Sequence, residues 1–159
     1  MKKLVGFILL AALLTGCTAE ETLETVNDEW VVPVMAQPRE ISVRLPEEIV
    51  TPVLEQEGRQ LYMGPNYEIM LETLSSGDLN ATIRTLSGYD REQLTVLETS
   101  QEDRDRYDFV WAMAGETGDR LGRAVILDDG DYHYCMTAIR DKGETHVLWR
   151  DVFGSFSLI

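Results

Sequence analysis

Residues Tyr107–Ile139, YDFVWAMAGETGDRLGRAVILDDGDYHYCMTAI, decide the fold. Tyr107, Phe109, Trp111 and Met113 occupy every second position. Alternate side chains of an extended chain point the same way, so one face of a strand here carries large residues. Large side chains gathered on one sheet face form core. Val110, Ala112 and Ala114 fall on the opposite face and are small enough to approach another layer. Gly115-Glu116-Thr117-Gly118 turns the chain into a second run, Arg120–Leu127. Asp128-Asp129-Gly130-Asp131 turns it again into Tyr132–Ile139. Three strands joined by two glycine-containing turns predict an antiparallel meander.

Working outward, Leu94–Glu98 reads as a short strand followed by a polar loop, Thr99–Arg106. Tyr67–Leu74 alternates and reads as a longer strand. Ser75-Ser76-Gly77 then turns the chain, and Asp78 is placed to cap a helix over Leu79–Leu86. Leu79, Ile83 and Leu86 share one helical face, and Gly88 supplies the stop. Ile41–Leu45 alternates and ends at Pro46. At the other end, Thr145–Phe153 puts Trp149, Phe153 and Phe156 at helical spacing, and Ser155–Ile159 closes as a short strand. The expected class is α+β: an antiparallel β-sheet with a C-terminal meander, covered by two helices.

Three of these pieces together resemble the PsbP-like fold: the strand ending in Arg44-Leu45-Pro46-Glu47-Glu48, the long meander, and the closing VLWRDVFGSFSL of residues 147–158. The resemblance spans about residues 39–159. It implies a domain that binds and stabilises protein partners without catalysis, some such domains also binding metal ions. No residue-level binding motif carries over to this chain.

The first residues read as a bacterial lipoprotein export signal. Lys2 and Lys3 precede an apolar run, Leu4–Leu14, and Leu14-Thr15-Gly16-Cys17 has the lipobox pattern. The run is too short to span a bilayer permanently. The expected organisation is a signal peptide over 1–16, a lipidated Cys17 with an acidic flexible tether over 17–38, and a single domain over 39–159. Each buried acyl methylene contributes about 0.8 kcal/mol, so several chains on Cys17 anchor stably. Thr18 stands where the usual Gram-negative inner-membrane retention signal has Asp. The expected location is the outer face of the cytoplasmic membrane, or the outer membrane of a Gram-negative cell. Lipid on Cys17 leaves Cys135 alone, which excludes an intrachain disulfide. In its alternating apolar run Cys135 reads as an inert buried thiol.

The formal charge is −14. Lys2 and Lys3, two of the 14 basic residues, leave with the signal, so 12 face 28 acidic side chains and the charge becomes −16. Such a body repels phosphates and anionic headgroups, which excludes nucleic acid as a partner. All of the remaining basic residues but Lys142 are arginines, suited to fixed ion pairs.

Asp128, Asp129 and Asp131 are the sharpest acidic cluster. Three carboxylates in four residues suit calcium, but the spaced ligands and distal glutamate of an EF-hand loop are missing, and Asp-Gly between strands is a hairpin signal. His133 and His146 are the only histidines, without the spacing of a zinc site. No G-x-S-x-G is present, Gly154-Ser155-Phe156 not meeting it, and neither a P-loop nor G-x-G-x-x-G occurs. Chance pairs of carboxylates are too many in so acidic a chain to argue for glycoside hydrolysis. Tyr107, Trp111, Tyr132, Tyr134 and Trp149 either build the core or line a partner groove. Arg120 and Arg123 offer a rim contact to an acidic partner. The expectation is a membrane-anchored extracytoplasmic lipoprotein, non-enzymatic and without cofactor, that binds an envelope protein partner. The alternative is a small-ligand or calcium-binding lipoprotein, and an envelope hydrolase with an unrecognised site stands third.

Overall fold

The computed structural model describes residues 36–101, 103–115, 118–142 and 148–159. The signal peptide, Cys17, most of the tether, His146 and the Glu116-Thr117 tip lie outside the described residues. The chain forms β1 (Ile41–Ser42), β2 (Leu54–Gln56), β3 (Arg59–Met63), β4 (Tyr67–Ser75), α1 (Leu79–Ser87), β5 (Val96–Gln101), β6 (Arg104–Gly115), β7 (Gly118–Asp128), β8 (Tyr132–Asp141), α2 (Leu148–Ser155) and β9 (Ser157–Leu158). β2-β3-β4-β8-β7-β6-β5 is one antiparallel sheet, and β1 pairs with β9 beside it.

The expected helix-covered α+β architecture is not what forms. Strands take up 52% and helices 19% of the chain described, so the fold is mostly β. The 9 residues of α1 and 8 of α2 span about 12–14 Å at helical rise. The sheet they lie on is about 29 Å wide by strand spacing, so neither helix covers a face. Three strand segments escaped the periodicity. β2 and β3 arise in Leu54–Met63, where no strand is expected. Thr99–Arg106, expected as a loop, is the β5–β6 hairpin, in register at Gln101 and Arg104. β2 and β5 are edge strands, largely exposed, so neither buries a face and neither shows apolar alternation.

The meander itself follows from its residues. β6 pairs with β7 from Asp105 opposite Asp128 to Gly115 opposite Gly118, and β7 pairs with β8. Gly130 takes a positive φ of 92° at the first central position of its two-residue turn, a position where only glycine is unstrained. On one sheet face Ile69, Leu71, Val125, Tyr134 and Met136 pack against Val152 and Phe153 of α2. On the other Phe109, Trp111, Ile126 and Cys135 pack against Ile83 and Leu86 of α1. Trp111 lies flat over Gly122, where any Cβ would collide with the indole.

Candidate functional site

Strand parity builds a groove on the α2 face. Val110 pairs with Arg123, Ala112 with Leu121, and Leu121 with Arg140, so all five side chains project to one side. Trp149 of α2 stands over them, stacked on Phe153 at 5.6 Å. The resulting groove holds about 480 Å³. Its floor is apolar and its sides carry arginine. No further layer approaches Val110, Ala112 and Ala114 among the described residues; all three are exposed, Val110 at 62%.

The cations here outnumber the anions. Asp108 accepts from Arg106 Nε at 2.7 Å and from Arg123 Nη2 at 3.2 Å, so one carboxylate serves two guanidiniums. Arg123 also sits 4.1 Å over the Phe153 ring. Arg140 lies 5.7 Å from the Trp149 centroid and donates to the Asp141 backbone carbonyl. It has no carboxylate partner among the described residues. A chain of net charge −14 thus gathers a locally positive patch around an apolar floor. Such a patch selects an apolar segment or ligand that carries negative charge.

A larger groove of about 530 Å³ opens on the opposite face between Met63, Glu68, Met113 and Arg120. Its cation is already engaged, since Arg120 lies 3.4 Å from Glu68 and 3.6 Å from Asp141. Arg120 and Arg123, expected together at a rim, are therefore on opposite faces, because three residues apart on a strand means opposite sides. Only Arg123 joins the α2-face groove. A third groove, of about 230 Å³ beside Arg59, has its cation paired as well, through Arg59 Nε to Glu72 at 2.6 Å.

The aromatic set divides the same way. Tyr107 and Trp111 are buried beneath α1, Tyr132 and Tyr134 belong to the α2 face, and of the set Trp149 and Trp111 line the groove. Arg140 and Leu121 were missed. Their signal was the register of the two hairpins, which carries position 110 to 123 and position 121 to 140.

The acidic turn builds itself from its own carboxylates. Asp129 Oδ1 accepts the amides of Tyr132 at 2.8 Å and Asp131 at 3.1 Å, and its Oδ2 accepts the Tyr134 hydroxyl at 2.9 Å. Burial alone would raise the Asp129 pKa, but these three donors, with the charge of Arg39, outweigh it and hold it below the usual aspartate value. Asp128 accepts from the Gly130 amide at 2.9 Å and faces His133 Nε2 at 3.4 Å. Asp131 is exposed. Among the described residues no group of three or more His, Cys, Asp or Glu is placed to hold a metal ion.

His133 is fully buried, and its Nδ1 lies 2.9 Å from Thr82 Oγ1. Thr82, His133 and Asp128 lie in the order of a nucleophile, base and acid, but His133 Nε2 makes no hydrogen bond to Asp128, and none of the three grooves reaches them. The series ties α1 to the meander. Cys135 is buried, and desolvation pushes its thiol pKa far up, with Glu72 adding to the shift, so it is no nucleophile.

No protein-family model and no curated protein matches the chain. Among solved structures, the chain is similar to a crystal structure of a protein from Bacteroides thetaiotaomicron VPI-5482, at 11% sequence identity and a TM-score of 0.53. The match covers 75% of this chain and 45% of that one. At such identity the likeness concerns the fold alone.

Proposed function

We propose that this chain is a lipid-anchored module outside the cytoplasmic membrane that binds an envelope protein partner and catalyses nothing itself. The observation that carries the binding reading is the arginine-flanked apolar groove between β6 and Trp149, positive on a strongly acidic body. The reading of the address rests on Leu14-Thr15-Gly16-Cys17 after an apolar run. Among the described residues no helix is long and apolar enough to cross a membrane, so in this reading acyl chains on Cys17 are the anchor. The calcium alternative is not favoured, because Asp128 and Asp129 are engaged in shaping their own turn.

The test is in-cell capture. A photo-crosslinking residue is placed at Leu121 in the full chain, and captured proteins are identified by mass. One partner at near-stoichiometric yield, lost when the crosslinker sits at exposed Val50 instead, is the expected result. Equal capture of abundant neighbours from both positions refutes the groove as a binding site. For the anchor, Cys17→Ser is expected to move the protein out of the membrane fraction, and unchanged fractionation refutes lipidation there.

A further inference from the structure

The groove borders an unfinished strand edge. β5 pairs with β6 only as far as Phe109 opposite Val96, whereas β6 runs on to Gly115, paired there with β7. Along an antiparallel strand, alternate residues present both backbone groups to the same side. The Tyr89 hydroxyl donates to the Ala112 carbonyl at 2.9 Å, which marks that side as the one away from β7. Val110, Ala112 and Ala114 therefore direct their N–H and C=O groups outward beyond the end of β5. Among the described residues no strand occupies that gap. The Ala112 carbonyl is already engaged by Tyr89, so this edge offers another extended chain chiefly its outward amides, and a pairing strand displaces or shares with the Tyr89 hydroxyl. Val110 and Ala112 line the groove, Ala114 lies just beyond it, and the side chains of all three are exposed.

The other edges lack this combination. β2 offers three residues, and β5 presents Glu98 and Ser100 outward with none of the three grooves adjoining it.

We propose that an extended segment of a protein partner pairs with β6 along Val110–Ala114 and turns alternate side chains into the groove, carboxylates toward Arg123 and Arg140. The inference rests on the binding reading above and adds its mode and chemistry. The occupant is extended because a strand edge delivers its hydrogen bonds only to a strand. It is apolar in part because Val110, Ala112 and Leu121 form the floor. It is acidic because Arg106 and Arg123 share one carboxylate and Arg140 has none among the described residues.

The experiment uses the full chain in detergent micelles and two fluorescent octapeptides, one alternating valine with glutamate and one alternating valine with lysine. The valine–glutamate peptide is expected to bind and the lysine peptide to fail. On binding, the amides of Val110, Ala112 and Ala114 exchange with solvent at least tenfold more slowly. Ala112→Pro removes one outward N–H without touching the β7 ladder, and binding is expected to vanish. Ser100→Pro, the same change on the outer edge of β5, leaves it intact. Arg140→Gln weakens binding about fivefold, the upper end for a partly exposed ion pair. Cooperative melting shows each variant folded, and amide protection decides alone where Ala112→Pro does not fold.

Binding that survives Ala112→Pro, or that leaves the three amides exchanging freely, overturns strand pairing while the groove stands as a binding site. Failure of both peptides to bind, with partner capture at Leu121 intact, likewise overturns pairing and spares the binding module. Loss of peptide binding and capture together removes both.

Discussion

Asp129 shows how one residue accounts for a cluster that sequence alone left open between a turn and a cation site. Its two oxygens receive three donors from residues 131, 132 and 134, so the carboxylate organises the hairpin. Its depressed pKa is also a statement about stability. A group whose folded pKa lies below the unfolded value contributes stability above the unfolded value, and loses it as pH falls through the folded one. Asp129→Asn is therefore expected to cost roughly 1 kcal/mol at neutral pH, by weakening bonds to a charged acceptor. The gap between wild type and variant should close below about pH 4 in denaturant melts. A gap independent of pH would mean that the negative charge is not what the donors recognise. Cys135 was legible as an inert thiol, because a lone cysteine among alternating apolar residues has nowhere to go but the core. Arg140 was not legible, since nothing local distinguishes it from a solvated arginine.

Among the elements, α1 was the most readable. Asp78 accepts from the Asn80 amide at 2.9 Å, and Gly88, at φ 79°, returns its N–H to the Arg84 carbonyl. Start, stop and apolar face are all local properties, and the observed Leu79–Ser87 extends the expected helix by one residue. Asp78→Ala is expected to lower stability by about 1 kcal/mol, read from the denaturation midpoint with an unchanged slope. A change in slope would show that the cap affects more than helix α1. β5 was the hardest to read. Its Thr99, Ser100 and Gln101 are exposed and polar, and they are strand only because Arg104–Arg106 of β6 lie opposite them. An edge strand is defined by its partner, and a partner leaves no mark in the strand's own sequence.

At the scale of the whole molecule, the two ends of the described chain meet. Ile41 pairs with Leu158 and Ser42 with Ser157, and the Ile159 amide reaches the Glu40 carbonyl at 2.9 Å. Ser155 Oγ accepts from the Arg44 amide at 2.8 Å. Further back, the Arg39 amide donates to the Tyr134 hydroxyl, and its guanidinium pairs with Asp103 at 2.9 Å. The C-terminal strand thus locks the first one beside the α2-face core. Deleting Ser157–Ile159 exposes Phe156 and Ile41 and strands the β1 amides, so a loss of about 2–4 kcal/mol is expected in thermal melts. An unaltered melting temperature would mean that β1 is held by other contacts.

The sequence by itself determined the meander, the capped helix α1, the buried thiol and the strongly acidic character. Each depends on residues close along the chain or on composition. Only the tertiary structure decided that the fold is mostly β, because β2, β3 and the end of β5 are strands by pairing rather than by periodicity. It alone brought Arg123 and Arg140 beside Trp149. Which side chains share a groove depends on register across strands, and register is set between segments far apart in the chain.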